Sequence, residues 1–137
     1  CYDNTRIIIV SDHGYNVHLE PFKGMEDKGF FYEFFNPLLV VKDFEADFPW
    51  KTDGSFMTNA DVPYLASRNL IENPVNPFSG MPVGTDDKLD GVDIITNDIW
   101  QPENHGKNLF KYTEADIVTV KENIFDDKNW ITWEERK

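Results

Sequence analysis

A short apolar run that ends abruptly in polar residues limits the folds open to this chain. Residues 5–11 read Thr-Arg-Ile-Ile-Ile-Val-Ser, a β-branched stretch in which apolar residues do not alternate with polar ones. This pattern is typical of a strand that is buried on both faces, as in a parallel sheet. The run stops at Ser11-Asp12-His13-Gly14, where glycine permits a sharp turn. The sequence therefore predicts a buried strand with a carboxylate and an imidazole at its carboxyl end.

Further segments carry secondary-structure signals of their own. Residues 37–42 are predicted to form a second buried strand, and residues 92–96 a third strand. Residues 115–120 form another β-branched run, which we pair with residues 108–112 in a predicted hairpin. A helix is predicted to open at residues 58–59, one of which caps it, with an acid in the first turn. Strands separated by a helix and long loops predict an α/β or an α+β fold.

Composition and charge exclude some classes of partner. The chain of 137 residues has the length of one ordinary domain, and its 11 Phe, 5 Tyr and 4 Trp are more than a disordered tail would carry. The formal net charge of −12 argues against binding to nucleic acid or to anionic lipid. No apolar run approaches the roughly 20 residues of a membrane span. The only cysteine, Cys1, excludes a disulfide within the chain.

Asp12 and His13 are the candidate metal ligands. Ligands of open α/β sheets gather at the carboxyl ends of strands, and a carboxylate beside an imidazole supplies two ligands to a divalent cation. The alternative is a turn in which the acid bonds the backbone and the histidine is solvated. Two adjacent ligands do not complete a site, so further ligands have to come from elsewhere.

Other residues are weaker candidates for function. His105 lies in a predicted loop, and the acid pairs at 86–87 and 126–127 lack the ligand spacing of an EF-hand. The tryptophans are suited to stacking on sugar rings, although core packing is the commoner fate of tryptophan. They are Trp50, Trp100, Trp130 and Trp133. These residues keep open the hypothesis of an acidic, non-catalytic module that binds glycan or a partner protein.

Five pieces within residues 5–83 resemble the sulfatases, phosphoglycerol transferases and related enzymes of the alkaline phosphatase superfamily. The string from Ile7 to Gly14 is similar to the metal-binding strand end of those enzymes. The other pieces resemble, in order, a substrate-contacting segment, the following strand, a helix start and a glycine-containing turn. They are His18–Lys23, Asn36–Val40, Asn59–Leu65 and Asn76–Gly80. The resemblance depends on the order and spacing of the five pieces together.

The resemblance implies a fold, a site and an activity. The α/β fold would be a partial alkaline phosphatase-like sheet with a small carboxyl-terminal α+β portion. Residues 1–137 would be the carboxyl-terminal portion of a sulfatase-like domain, truncated at its amino-terminal side. Asp12 and His13 would bind a divalent metal (Mn, Ca, Zn or Mg), and His18 and Lys23 would contact the anion of a sulfate or phosphate ester.

The same resemblance places the nucleophile outside this chain. In the family it lies upstream of the Asp-His strand, and no Cys-x-Pro-x-Arg or Ser-x-Pro-x-Arg string occurs in the sequence. We therefore expect the chain to be an inactive part of a metal-dependent hydrolase or transferase. The bacterial relatives that the chain resembles act outside the cytoplasmic membrane, and some are anchored by upstream helices. On that basis, the expected location is the extracellular face of the cytoplasmic membrane, or the protein is expected to be secreted.

Overall fold

The computed structural model describes residues 1–77, 80, 82–84, 88, 90–96 and 112–137. The chain divides into two compact units, of which the first comprises Cys1–Glu20 and Phe31–Asp87 and the second comprises Pro21–Phe30 and Lys88–Lys137. Short helices and two small antiparallel sheets make up the described part, which is the composition of a small α+β fold. None of the helices in these ranges is long and apolar enough to cross a bilayer.

The first unit contains a two-stranded sheet and one short α-helix. Strand β1 (Ile7–Val10) pairs antiparallel with strand β2 (Leu39–Lys42). Helix α1 (Val62–Ser67) continues directly from a 3₁₀ turn at Asn59–Asp61. The predicted strand at residues 37–42 is confirmed by β2, but its expected burial is wrong, because all four residues of β2 are partly exposed.

A capping box fixes the start of this helical segment. The backbone N–H and the hydroxyl of Thr58 donate to Asp61 Oδ2 at 2.7 and 3.3 Å. Asp61 is only 3% exposed, so its carboxylate depends on these partners for its hydrogen bonds. Pro63 stands in the first turn of α1, where a backbone N–H has no helical acceptor. The predicted helix start at residues 58–59 is confirmed, with Thr58 as the cap.

The prediction that residues 5–11 form a strand buried on both faces of a parallel sheet is wrong. β1 is antiparallel to β2, and Ile7, Ile9 and Val10 are 37%, 53% and 41% exposed. An apolar run is buried on both faces only where other elements cover both faces. In the described part of the chain, the sheet that contains β1 has two strands, and β1 has a neighbour on one edge alone.

Arg6 joins the beginning of β1 to the carboxyl end of α1. Its Nη1 donates to the carbonyl oxygens of Leu65, Ala66 and Arg68 at 3.0, 3.0 and 2.8 Å. A helix leaves its last carbonyls without intrahelical partners, so the guanidinium caps them. The Arg6 side chain is 5% exposed, and its Nε and Nη2 lie 3.0 and 2.9 Å from Asp43 Oδ1.

Asp43 neutralises this buried cation. The backbone N–H of Phe44 donates to Asp43 Oδ1 at 2.8 Å, and Arg68 Nη2 donates to Oδ2 at 3.0 Å. The bond from Phe44, assisted by Arg6 and Arg68, holds the pKa of the Asp43 carboxyl below its usual value, against the opposing effect of burial. Asp43 therefore stays ionised at neutral pH and balances the charge of Arg6.

The described part of the second unit is built on a three-stranded antiparallel sheet. Its strands β3 (Val92–Ile95), β4 (Ile117–Val120) and β5 (Trp130–Ile131) lie in the order β3-β4-β5. The predicted strand at residues 92–96 is confirmed, and β4 lies within the predicted run at 115–120. Residues 108–111 of the predicted hairpin lie outside the described residues. The partners of β4 are β3 and β5.

The carboxyl-terminal tail closes the core of this unit. Trp130 is 1% exposed, and its indole N–H donates to the carbonyl of Ile124 at 2.8 Å. Lys28 Nζ donates to the carbonyl of Trp130 at 2.8 Å and to Glu135 at 2.6 Å. These bonds from Lys28, followed by those from Thr132, lower the pKa of Glu135 from 4.5 to about 2. The ion pair therefore ties the tail to an earlier segment of the same unit.

Candidate functional site

The Ser11–Gly14 loop is anchored at both ends by hydrogen bonds. The N–H of Ser11 donates to the carbonyl of Leu38 at 3.0 Å, and the N–H of Leu38 donates to Ser11 Oγ at 2.7 Å. At the other end, the N–H of Gly14 donates to the carbonyl of Phe34 at 2.8 Å. The backbone that carries Asp12 and His13 is therefore fixed by its neighbours rather than by its own turn alone.

Asn59 supplies a third anchor from the helical side. Its side-chain Nδ2 donates to the carbonyl oxygens of Ser11 and Asp12, both at 3.1 Å. Asn59 is the first residue after the Thr58 cap, so the capping box also positions its amide. Sequence reasoning assigned Asn59 to the helix start and missed this bond to the loop. No local sequence pattern predicts this contact, because Asn59 lies 48 and 47 residues from Ser11 and Asp12 in the chain.

Gly14 is required by close packing of two backbone segments, and not by the sharp turn that the sequence suggested. Its φ lies outside the positive region that favours glycine. A Cβ at this position would lie 1.9 Å from the carbonyl oxygen of Glu33 and 2.7 Å from that of Asn36. Any side chain would therefore push the loop away from residues 33–36 and disturb the anchor at Phe34.

The side chains of Asp12 and His13 project into solvent from this anchored loop. They are 90% and 64% exposed, and His13 Nε2 lies 3.8 Å from Asp12 Oδ1. His13 Nδ1 lies 2.5 Å from the carbonyl oxygen of Gly14. Because a carbonyl oxygen can only accept a hydrogen bond, Nδ1 is the donor. In the neutral imidazole, Nδ1 therefore carries the proton and Nε2 carries the lone pair.

To ligate one metal ion, Asp12 and His13 would have to move closer than the observed 3.8 Å. Two ligands of one metal ion lie roughly 3–3.5 Å apart when each bond is about 2.1 Å long, so a small side-chain rotation would bring the carboxylate and Nε2 to that separation. The predicted turn alternative also describes part of the geometry, because Asp12 Oδ1 accepts the N–H of His13 at 3.0 Å. Among the described residues, no group of three or more His, Cys, Asp or Glu side chains is placed to hold a metal ion.

His18 lies in a strained stretch of backbone that a buried acid stabilises. Its φ is +57°, a value that few residues other than glycine adopt. Glu33 is 6% exposed and accepts the backbone N–H groups of His18, at 3.2 Å, and of Leu19. The imidazole of His18 is exposed. Sequence reasoning missed the role of Glu33. The only sequence feature that marks this residue is that it is an acid within the aromatic run at residues 30–35.

Lys23, the second predicted anion contact, belongs to the second unit and is exposed. It lines a shallow, polar depression with Asn123, Asp126 and Asp127. The two acids accept backbone N–H groups, from Lys128 at 3.1 Å and from Glu26 at 2.9 Å, as expected for acids in turns. The substrate-binding roles of His18 and Lys23 remain predictions.

The tryptophans have different surroundings. Trp130 lies in the core, and Trp133 is half-buried with Lys137 Nζ 5.6 Å from its ring centroid. Trp50 is 82% exposed, so its ring is open to a ligand. Trp100, His105 and the acid pair at 86–87 lie outside the described residues.

Comparison of the chain with protein-family models, with curated proteins and with solved structures finds no match in any of the three.

Proposed function

We propose that the chain is part of a metal-dependent hydrolase or transferase that acts on sulfate or phosphate esters, to which it contributes the metal ligands Asp12 and His13. The observation that carries the proposal is the contrast between an anchored loop and exposed functional groups. The backbone of Ser11–Gly14 is held from three directions, while the side chains of Asp12 and His13 stay 90% and 64% exposed and so within reach of a cation.

The residues around the pair have distinct supporting roles. The carbonyl of Gly14 holds the His13 proton on Nδ1 and so leaves Nε2 as the ligand atom. Asn59 fixes the carbonyls of Ser11 and Asp12 and thereby the direction of both side chains. A bound divalent cation would polarise the ester and lower the pKa of an attacking hydroxyl. The nucleophile and the remaining ligands of an alkaline phosphatase-like site would come from outside the residues described.

Metal affinity tests this proposal without any need for turnover. We expect Mn²⁺ or Zn²⁺, titrated into the chain and followed by calorimetry, to bind at one weak site. Asp12→Asn and His13→Gln remove one ligand each and should abolish measurable binding. Asn59→Ala leaves both ligands in place but removes the hydrogen bonds that hold the loop. It should weaken metal binding roughly 10-fold, which is the smallest loss expected when a partner that orients metal ligands is removed.

The matched control is His18→Gln, which removes another exposed histidine of the first unit outside the pair. It should leave the affinity for metal unchanged. Equal losses for His18→Gln and His13→Gln would mean that the metal binds exposed histidines without selection, and the proposal would be abandoned.

A second candidate function is a non-catalytic module that binds glycan through Trp50. The observation in its favour is the 82% exposure of this ring, which is unusual for tryptophan because the indole is more often packed in a core. This function predicts glycan binding that is lost in Trp50→Ala and unaffected by Asp12→Ala. A glycan array with the unchanged chain and these two variants separates it from the metal-dependent function.

A further inference from the structure

Three exposed aromatic rings form a surface patch in the first unit, outside the pair of proposed metal ligands. This aromatic patch consists of Tyr15, Phe31 and Phe34, which are 69%, 59% and 37% exposed. The ring of Phe34 packs edge-to-face against Tyr15 at 6.1 Å and against Phe31 at 5.8 Å between centroids. The bond from the N–H of Gly14 to the carbonyl of Phe34 holds the two segments of the patch together.

The charges of the first unit indicate which partner this patch suits. Its sequence contains 12 Asp and Glu residues against 4 basic ones, which are Arg6, Lys42, Lys51 and Arg68. Both arginines bond to Asp43, and Lys42 Nζ donates to backbone carbonyls of residues 2 and 5. Residues 7–20 and 31–36, which carry the patch, contain no lysine or arginine at all. The exposed rings therefore belong to a unit of negative net charge and lie on segments without lysine or arginine.

We propose that the aromatic patch is a docking surface for a lysine- or arginine-bearing segment of a partner protein. Aromatic faces attract ammonium and guanidinium groups, and the negative net charge of the unit increases the local concentration of a cationic segment. The unit already makes contacts of this kind, because Lys42 Nζ lies 4.2 Å from the Tyr2 ring centroid.

A second copy of the chain is the less suitable occupant. Two chains of net charge −12 repel each other, and an interface between two acidic patches would bring like charges together. The proposal is also independent of metal binding, because none of the three rings is a proposed ligand. Failure of one proposal therefore leaves the other open.

The test measures binding of a fluorescent 12-residue peptide of alternating arginine and glycine to the unchanged chain, by fluorescence anisotropy. A peptide in which aspartate replaces arginine is the charge control. The triple variant Tyr15→Ala/Phe31→Ala/Phe34→Ala removes the patch, and its side chains are exposed enough for the fold to tolerate the change. Phe48→Ala is the matched control, because this ring is 81% exposed in the same unit but lies outside the patch.

The arginine peptide is expected to bind, with an affinity that falls as salt is raised. The triple variant should bind the arginine peptide about 10-fold more weakly, as expected from the loss of two or three exposed cation–π contacts. The affinity of Phe48→Ala should stay within about twofold of that of the unchanged chain. Equal affinity of the triple variant and the unchanged chain would overturn the proposal, as would equal binding of the aspartate peptide. Concentration-dependent dimerisation that the triple variant abolishes would assign the patch to a second copy instead.

Discussion

Replacement of Arg6 by methionine is expected to loosen the first unit, because Arg6 holds β1, Asp43 and the end of α1 together. Methionine keeps an apolar stem in the space of the arginine side chain and removes the guanidinium. The change deletes three bonds to the carbonyls of Leu65, Ala66 and Arg68, and both contacts with Asp43.

The structure limits the size of the effect. A hydrogen bond to a charged group contributes about 1.5–3 kcal/mol, but several of the lost bonds are replaced by water after the change. The carbonyl of Ala66 is near solvent, and Asp43 keeps its bonds from Phe44 and Arg68. We therefore expect a loss of about 3 kcal/mol in the free energy of opening, at the low end for a broken buried ion pair.

Hydrogen exchange of the backbone amides in β1, β2 and α1 is the assay, because it reports the first unit separately from the second. A loss of 3 kcal/mol corresponds to exchange that is roughly 150-fold faster. Arg68→Met is the matched control: this arginine is 35% exposed and makes one side-chain bond to Asp43, so its loss should cost less than about 1 kcal/mol. Equal acceleration in the two variants would refute the role that we assign to Arg6.

Three further changes test other parts of the structure. Gly14→Ala should displace the loop, because the new Cβ would lie 1.9 Å from the carbonyl oxygen of Glu33. We expect the opening free energy of the first unit, measured by the same exchange experiment, to fall by about 3 kcal/mol or more, and wild-type protection would contradict the close approach. The ionised Glu135, whose pKa is lowered to about 2 chiefly by Lys28, stabilises the second unit fully above about pH 4.5, and this stabilisation is lost as pH falls toward 2. Glu135→Gln should therefore flatten that part of an acid unfolding curve, and an unchanged curve would count against the ion pair. Trp130→Phe removes the buried indole N–H bond and leaves a void, so the second unit should lose about 2 kcal/mol in a urea titration, and a loss near zero would be incompatible with its core position.

Local signals in the sequence predicted local structure well. Thr58 and Asp61 stand three residues apart, and the capping box that they form needs nothing beyond that spacing. The β-branched runs at residues 92–96 and 115–120 correspond to β3 and β4 because both strands pack against a common core. The place of Asp12 and His13 directly after a strand was likewise visible in the sequence, while their role as metal ligands stays a prediction.

The contacts that the sequence did not predict join residues that are far apart. Arg6 reaches carbonyls about 60 residues along the chain, and Asn59 reaches the loop at Ser11 over a similar separation. Such contacts depend on the tertiary arrangement, which hydrophobic periodicity does not encode. The burial of β1 was predicted wrongly, because an apolar run shows that packing against other elements would be favourable. It does not show that such elements lie on both faces of the strand. Gly14 was assigned to a turn, although its function depends on how closely residues 33–36 approach it.

The central claim is that the Asp12–His13 pair binds a divalent cation through His13 Nε2, and ¹⁵N NMR of the histidine rings tests it most directly. On addition of Zn²⁺, we expect the Nε2 resonance of His13 to shift while Nδ1 stays protonated by its bond to the carbonyl of Gly14. The shift should disappear in Asp12→Asn, and the His18 ring should be unaffected. A shift at Nδ1, an equal response of His18, or a His13 response that persists in Asp12→Asn would contradict the account.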